Sequence, residues 1–164
     1  MSYVLVITGS RYADSKKYPR QAARRAEKTV KTELDEFCYA NGDPDFFFHG
    51  NALGVDRFGR DYMRARIGTD RVIDVPADWK RHGLGAGPIR NRQMLNMAEA
   101  KAKLLGLELK VIGFLETFSV GTKDCLNEAT EREYDVTEVK LGDLKGDIER
   151  EAATQQVFLG GRLL

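Results

Sequence analysis

Cysteine and histidine are scarce in this chain, and each scarcity closes off a class of protein. Two cysteines, Cys38 and Cys125, cannot build the disulfide framework of a small secreted scaffold, so both are expected as reduced thiols. His49 and His82 are the only histidines, too few and too scattered for a zinc site, so no metal is expected. There is no excess of charge of one sign: 26 basic against 25 acidic residues leave a formal net charge of +1. A general DNA coat needs a strong basic excess, so nucleic acid is disfavoured as a partner, whereas a small anionic ligand needs only a few local charges. No apolar run approaches the ~18 residues of a membrane span. The first one, Tyr3 to Thr8, is short for a signal peptide and lacks its basic flank. A cytoplasmic protein with no membrane partner is the expectation, and nothing in the composition calls for a cofactor.

What is present suits one folded domain. The chain has 164 residues, and its 42% hydrophobic content argues against disorder. Tyr3 to Thr8 reads as a buried strand stopped by Gly9. A long helix follows from Tyr18 to Gly42: Ala23, Ala26, Val30, Leu34 and Phe37 make one apolar stripe, Pro19 fits the first turn and Gly42 the stop. Phe46 to His49 reads as a strand, Gly54 to Ile67 as a helix ended by Gly68, and Arg71 to Pro76 as a third strand. A third helix starts at Pro88, a fourth strand covers Leu109 to Phe114, a fourth helix runs from Gly121 to about Arg132, and a fifth strand spans Asp135 to Val139. Strands alternating with helices imply an α/β architecture, three layers around a mostly parallel sheet of about five strands. Residues 1–140 form this domain. Residues 141–164 are a C-terminal extension that fits a hairpin, a last helix, a dimer contact or a frayed end.

In a parallel sheet the loops that follow the strands emerge at one edge, where ligands bind. Here those loops are rich in glycine. They are Thr8 to Arg11, His49 to Asp56, the stretch carrying Trp79 and Gly87 to Asn91, and Ser119 to Thr122. Several run into helix starts, whose free N–H groups and positive dipole end favour anions. Gly9, Gly50 and Gly54 let a ligand approach the backbone, beside Ser10 and Asn51. Arg11 is either a phosphate contact or a solvated arginine. Asp56 is either a ribose acceptor or a favourable charge at its own helix start. Trp79 either stacks a base or is buried for its bulk. Thr122, beside Gly121, suits a helix cap and a phosphate contact at once.

The stretch "GLGAGPIRNRQML" (Gly83 to Leu95) looks like a dinucleotide fingerprint but does not follow its strand directly, as that motif requires. It is read instead as a helix start with Gly87 as cap and Pro88 first. Ile89 and Arg90 then present unbonded N–H groups, and Arg90 and Asn91 face the sheet edge. Arg90 suits bidentate contact with a phosphate or carboxylate, its bland alternative being an ion pair with Asp56 or Asp78.

The ordered set "VLVITGSR", "HGNALGVD", "PADW" and "AGPIRNRQM", with a late "GT", resembles the YspA-like branch of the SLOG superfamily over about Tyr3 to Val139. That superfamily includes DprA and the Lonely Guy phosphoribohydrolases. The resemblance implies a Rossmann-like fold, a pocket for a nucleotide or a nucleotide-derived molecule, and a role as binder or sensor; related folds often dimerise. The Lonely Guy pattern of Arg-Lys-x-x-Met followed by Gly-Gly-x-Gly-Thr-x-x-Glu implies a catalytic arginine at Arg90. Phe118 and Ser119 replace its paired glycines, and Cys125 stands at its glutamate position. Asp124 or Glu116 is then the carboxylate left for an N-glycosidase acting on a nucleoside monophosphate. DprA-like nucleic-acid binding, through Arg20, Arg24, Arg25 and Lys28, is the third reading.

Overall fold

The computed structural model describes residues 2–163. The chain runs β1 (Tyr3–Gly9), α1 (Gln21–Asn41), β2 (Phe46–His49), α2 (Val55–Ile67), β3 (Val72–Asp74), a one-turn α3 (Trp79–His82), α4 (Ala86–Leu105), β4 (Glu108–Glu116), α5 (Gly121–Glu131), β5 (Asp135–Gly142) and α6 (Leu144–Leu163). The five strands form one sheet in the order β3-β2-β1-β4-β5, with every pairing parallel. Helices cover both faces. The protein is a Rossmann-like three-layer α/β domain.

β1 lies at the centre because Tyr3 to Ile7 is apolar on both faces, and all five residues are fully buried. Side chains alternate across a strand. Tyr3, Leu5 and Ile7 therefore pack against α1 and α2 (Ala23, Val30, Leu34, Val55, Met63), while Val4 and Val6 pack against α4 and α5 (Met94, Leu95, Ala98, Leu126, Ala129). Ala23, Ala26, Val30 and Leu34 of the α1 stripe are buried as the spacing predicts, and Phe37 is half-buried against them. Gly42 ends α1 at φ 81°, its N–H bonding to the Cys38 carbonyl.

Several boundaries differ from the sequence reading. Pro19 lies before α1 rather than in its first turn, because Arg20 is extended (φ −129°, ψ 155°) and donates its N–H to the Tyr18 carbonyl. β3 is only Val72–Asp74, since Arg71 closes a 3-10 turn (Thr69–Arg71). α4 starts at Ala86, not Pro88. The 3-10 turn Gly83–Gly85 joins α3 to α4, so Gly87 is inside the helix and Gly85 occupies the cap position. β4 continues past Phe114 to Glu116 and β5 past Val139 to Gly142, because the two edges keep pairing beyond the apolar run.

The stretch after Leu141 is a helix folded back onto the domain. Leu144 and Ile148 of α6 enter the same core cluster as Ala22 and Ala26 of α1. The Glu151 carboxylate accepts from the Ala22 N–H and from Arg25, filling the first turn of α1, where no side chain of that helix caps.

The chain orders β1, β2 and β3 outward in one direction, then returns to place β4 on the other side of β1. The loops after β1 and β4 therefore diverge and leave a crevice between the carboxyl ends of those strands, the switch point at which ligands bind in open α/β sheets.

Candidate functional site

A cleft of about 770 Å³ opens over this switch point. It is lined by the ends of β1 and β4, the loop after β2, the start of α4, the start of α5 and the start of α6. That volume suits a nucleotide-sized ligand. The fold brings together Gly9, Ser10, Arg11, Gly50, Asn51, Asp56, Trp79, Gly87, Arg90, Asn91, Gly121 and Thr122, residues up to 113 positions apart (from Gly9 to Thr122).

Arg90 extends from the fifth residue of α4. Its Nη1 donates to the Gly50 carbonyl and its Nε to Asn91 Oδ1 at 3.0 Å. Among the described residues it makes no salt bridge, so the pairing with Asp56 or Asp78 is not formed. Asp78 instead caps α3 through the Arg81 N–H at 3.1 Å. Asn91 is buried and donates its Nδ2 to the Gly121 carbonyl at 3.3 Å, tying α4 to the start of α5. The backbone N–H of Arg90, four residues into a helix that starts at Ala86, closes onto that helix rather than facing the cleft. Pro88 has no N–H. The first turn of α5 offers amide donors at this edge: it precedes Asp124, whose N–H bonds to the Val120 carbonyl at 2.9 Å. Thr122 is buried there and Gly121 exposed.

Asp56 is 4% exposed and serves the loop rather than the open cleft. Its Oδ2 accepts from the Gly50 N–H at 3.0 Å and the Ala52 N–H at 3.4 Å. Burial pushes its carboxyl up to about 6, against the opposing pull of the Arg90 guanidinium and the two amides. Asn51 adopts φ 53°, a left-handed conformation that asparagine tolerates. Its N–H donates to His49 Nδ1 at 3.0 Å, and its carbonyl and side-chain oxygens accept from Arg57 and Arg60. His49 is fully buried, and desolvation pulls it down to about 4, so it stays neutral. It is a structural residue of this loop.

Gly54 does not line the cleft but supports it. It sits at φ 81°, and a Cβ there would overlap the Ser10 carbonyl and the Arg11 backbone. The Val55 N–H bonds to the same Ser10 carbonyl at 3.0 Å, locking the loop after β1 onto α2.

Ser10 reaches the cleft with its polar groups already engaged. Its N–H donates to the Phe114 carbonyl at 3.2 Å. Its Oγ accepts from the Tyr12 N–H at 3.0 Å and donates to Glu116 Oε1. Glu116 lies at the end of β4, 7% exposed, with its pKa raised by burial and lowered in turn by Ser10 and the Lys145 amide. It is the carboxylate at the switch point itself, Asp143 lying farther along the lining and Asp56 bonded to its own loop. Asp124 is half-buried on α5 and does not line the cleft. Cys125 is fully buried, with its thiol pushed up to about 12 by desolvation, and so is a protonated packing residue.

Asp143, Lys145, Leu84 and Val120 line the cleft but were not singled out from the sequence. Asp143 and Lys145 come from the β5–α6 junction, and the Lys145 ammonium lies 5.9 Å from the Tyr12 ring centroid. Their signal was hidden in a stretch with no clear periodicity. Four exposed apolar side chains also rim the cleft: Trp79 at 55%, Leu84 at 98%, Phe118 at 79% and Val120 at 82% exposure. Trp79 is thus not buried for its bulk.

Comparison of the chain with protein-family models, with curated proteins and with solved structures gives no match. No helix among the described residues is long and apolar enough to cross a membrane, and no group of three or more histidine, cysteine or acidic residues there could hold a metal ion.

Proposed function

We propose that the protein binds a nucleotide or nucleotide-derived small molecule in this cleft, as a binder or sensor of the YspA-like SLOG type. The observation that carries the reading is the Arg90 guanidinium. It is aimed at the switch-point crevice by the Gly50 carbonyl and Asn91, with no ion-pair partner among the described residues, opposite the first turn of α5. An arginine held this way, facing a helix start, is a ready anion site. The apolar rim of Trp79, Leu84, Phe118 and Val120 supplies a surface for a flat base. Calorimetry with the four ribonucleoside 5′-monophosphates, ADP-ribose and cyclic nucleotides tests it. At least one of these binds the wild type, and Arg90→Ala weakens that binding by roughly tenfold or more, the worth of a hydrogen bond to a charged group. Equal affinities of wild type and variant for every compound refute the anchor.

Glu116 favours one second reading, an N-glycosidase that releases the base. It is a buried carboxyl with a raised pKa inside a cleft, the environment in which acid–base groups are found. Cys125 at the position of the family's glutamate weighs against it. Chromatography of nucleoside monophosphates after incubation with the protein decides: free base supports hydrolysis, and its absence with every nucleotide removes this reading.

A further inference from the structure

The cleft makes opposite electrostatic demands at different places. Arg90 and the first turn of α5 favour an anion. Glu116, at the end of β4 beside Ser10, repels one. These two strands flank the switch point itself, so the carboxylate stands in the middle of the crevice. Its hydrogen bonds do not exhaust it. A carboxylate has about four acceptor sites. Ser10 Oγ fills one, the Lys145 amide faces another, and no further hydrogen bond reaches the Glu116 carboxylate among the described residues. Ser10 cannot turn away to serve a ligand, because the Tyr12 N–H holds its oxygen at 3.0 Å. It is a positioning residue that fixes the carboxylate, and Glu116 lines the cleft with acceptor sites to spare. What they require is a ligand part that carries adjacent donors and no negative charge.

We infer that Glu116 binds the vicinal 2′- and 3′-hydroxyls of a ribose, so that the cleft selects ribonucleotides over their deoxy counterparts. The inference rests on the nucleotide reading above and adds the sugar to it. A nucleotide joins its anion to its base through the ribose. A site with an anion anchor, an apolar rim and a central acceptor matches those three parts. Hydrogen bonds from hydroxyls to a carboxylate are charge-assisted and worth more than neutral ones.

The test is calorimetry with each ribonucleoside 5′-monophosphate and its 2′,3′-dideoxy counterpart, on wild type, Glu116→Gln and Glu116→Ala. The wild type binds the ribo form roughly tenfold tighter for each hydroxyl, up to roughly a hundredfold for the pair. In both variants this ratio falls toward one. The ratio is the readout, because a general loss of packing at Glu116 weakens both ligands alike and leaves it unchanged. Ribo and dideoxy forms that bind the wild type equally overturn the diol contact while leaving the nucleotide reading in place. A ratio that survives both substitutions assigns the selectivity to other residues and also overturns it. Failure of every nucleotide to bind the wild type removes the parent reading, and this inference falls with it.

Discussion

Gly50→Ala separates the scaffold of the cleft from its anion contact. A Cβ built on Gly50 would overlap Arg90 Nη1 and Cζ, and it meets Arg90 Nε as well, at 2.9 Å. All three atoms belong to the end of a long, flexible side chain, so the guanidinium swings away while the backbone stays. Gly50 does not need a left-handed conformation, and its N–H can still donate to Asp56. The variant is therefore expected to unfold within about 0.5 kcal/mol of wild type, as substitutions without a cavity or strain do. Its nucleotide affinity drops as it does in Arg90→Ala, by roughly ten- to a hundredfold, the range for one lost hydrogen bond to a charged group. The two substitutions act on one contact, so the double variant binds no more weakly than Arg90→Ala alone, a coupling of about 2 kcal/mol. Titration calorimetry of the three variants, with urea unfolding as the stability control, reads all of this. Wild-type affinity in Gly50→Ala, or additive losses in the double variant, refutes the assignment of Arg90 as the anchor held by the Gly50 carbonyl.

Gly54→Ala behaves in the opposite way. Its Cβ meets backbone rather than a movable side chain, at φ 81°, and is expected to destabilise the fold by about 1–3 kcal/mol; urea unfolding indistinguishable from wild type counts against this reading of the loop. The pH dependence of stability carries two opposed slopes. The folded value of Asp56, about 6, exceeds its ordinary 3.8, so its contribution is full below that lower value and is lost as pH rises to about 6, a change of about 3 kcal/mol. His49, pulled from 6.5 to about 4, contributes above pH 6.5 and loses about 3 kcal/mol as pH falls toward 4. The two offset each other in the wild type between about pH 4 and pH 6. Asp56→Asn removes the first, so the variant loses about 2–3 kcal/mol relative to wild type between about pH 7 and pH 4; parallel profiles for the two proteins exclude the buried, proton-holding state of Asp56.

Much of the architecture was legible because its signals are local. The apolar run of β1 spells a strand covered on both faces, and the α1 stripe repeats at helical spacing. Gly42 and Gly68 take the positive φ values that end helices. The loops that carry the cleft were legible too, since glycine-rich turns after strands can gather only at one edge of a parallel sheet. Where the reading failed, the deciding contact was distant. Pro88 suits the start of a helix, but the Gly83–Gly85 turn carries the helical path back to Ala86. Glu116 breaks an apolar pattern and reads as loop, yet Ser10, 106 residues away, keeps it buried as strand. Ser10 reads as a ligand donor, and the same contact shows it engaged. α6 shows little periodicity because Leu144 and Ile148 are its only core residues among those whose burial is described.

The amino-acid sequence alone determined the alternation of strands and helices, the parallel sheet that follows from it, and the edge at which glycine loops collect, because each depends on propensity and spacing within a few residues. The tertiary structure decided which charged groups are free. Arg90 without an ion pair among the described residues, Asp56 turned inward to its own loop, Asp124 outside the cleft and Glu116 within it are outcomes of strand order and packing. Burial and hydrogen bonding between residues far apart in the chain set the charge and the direction of each side chain, and no local pattern encodes them.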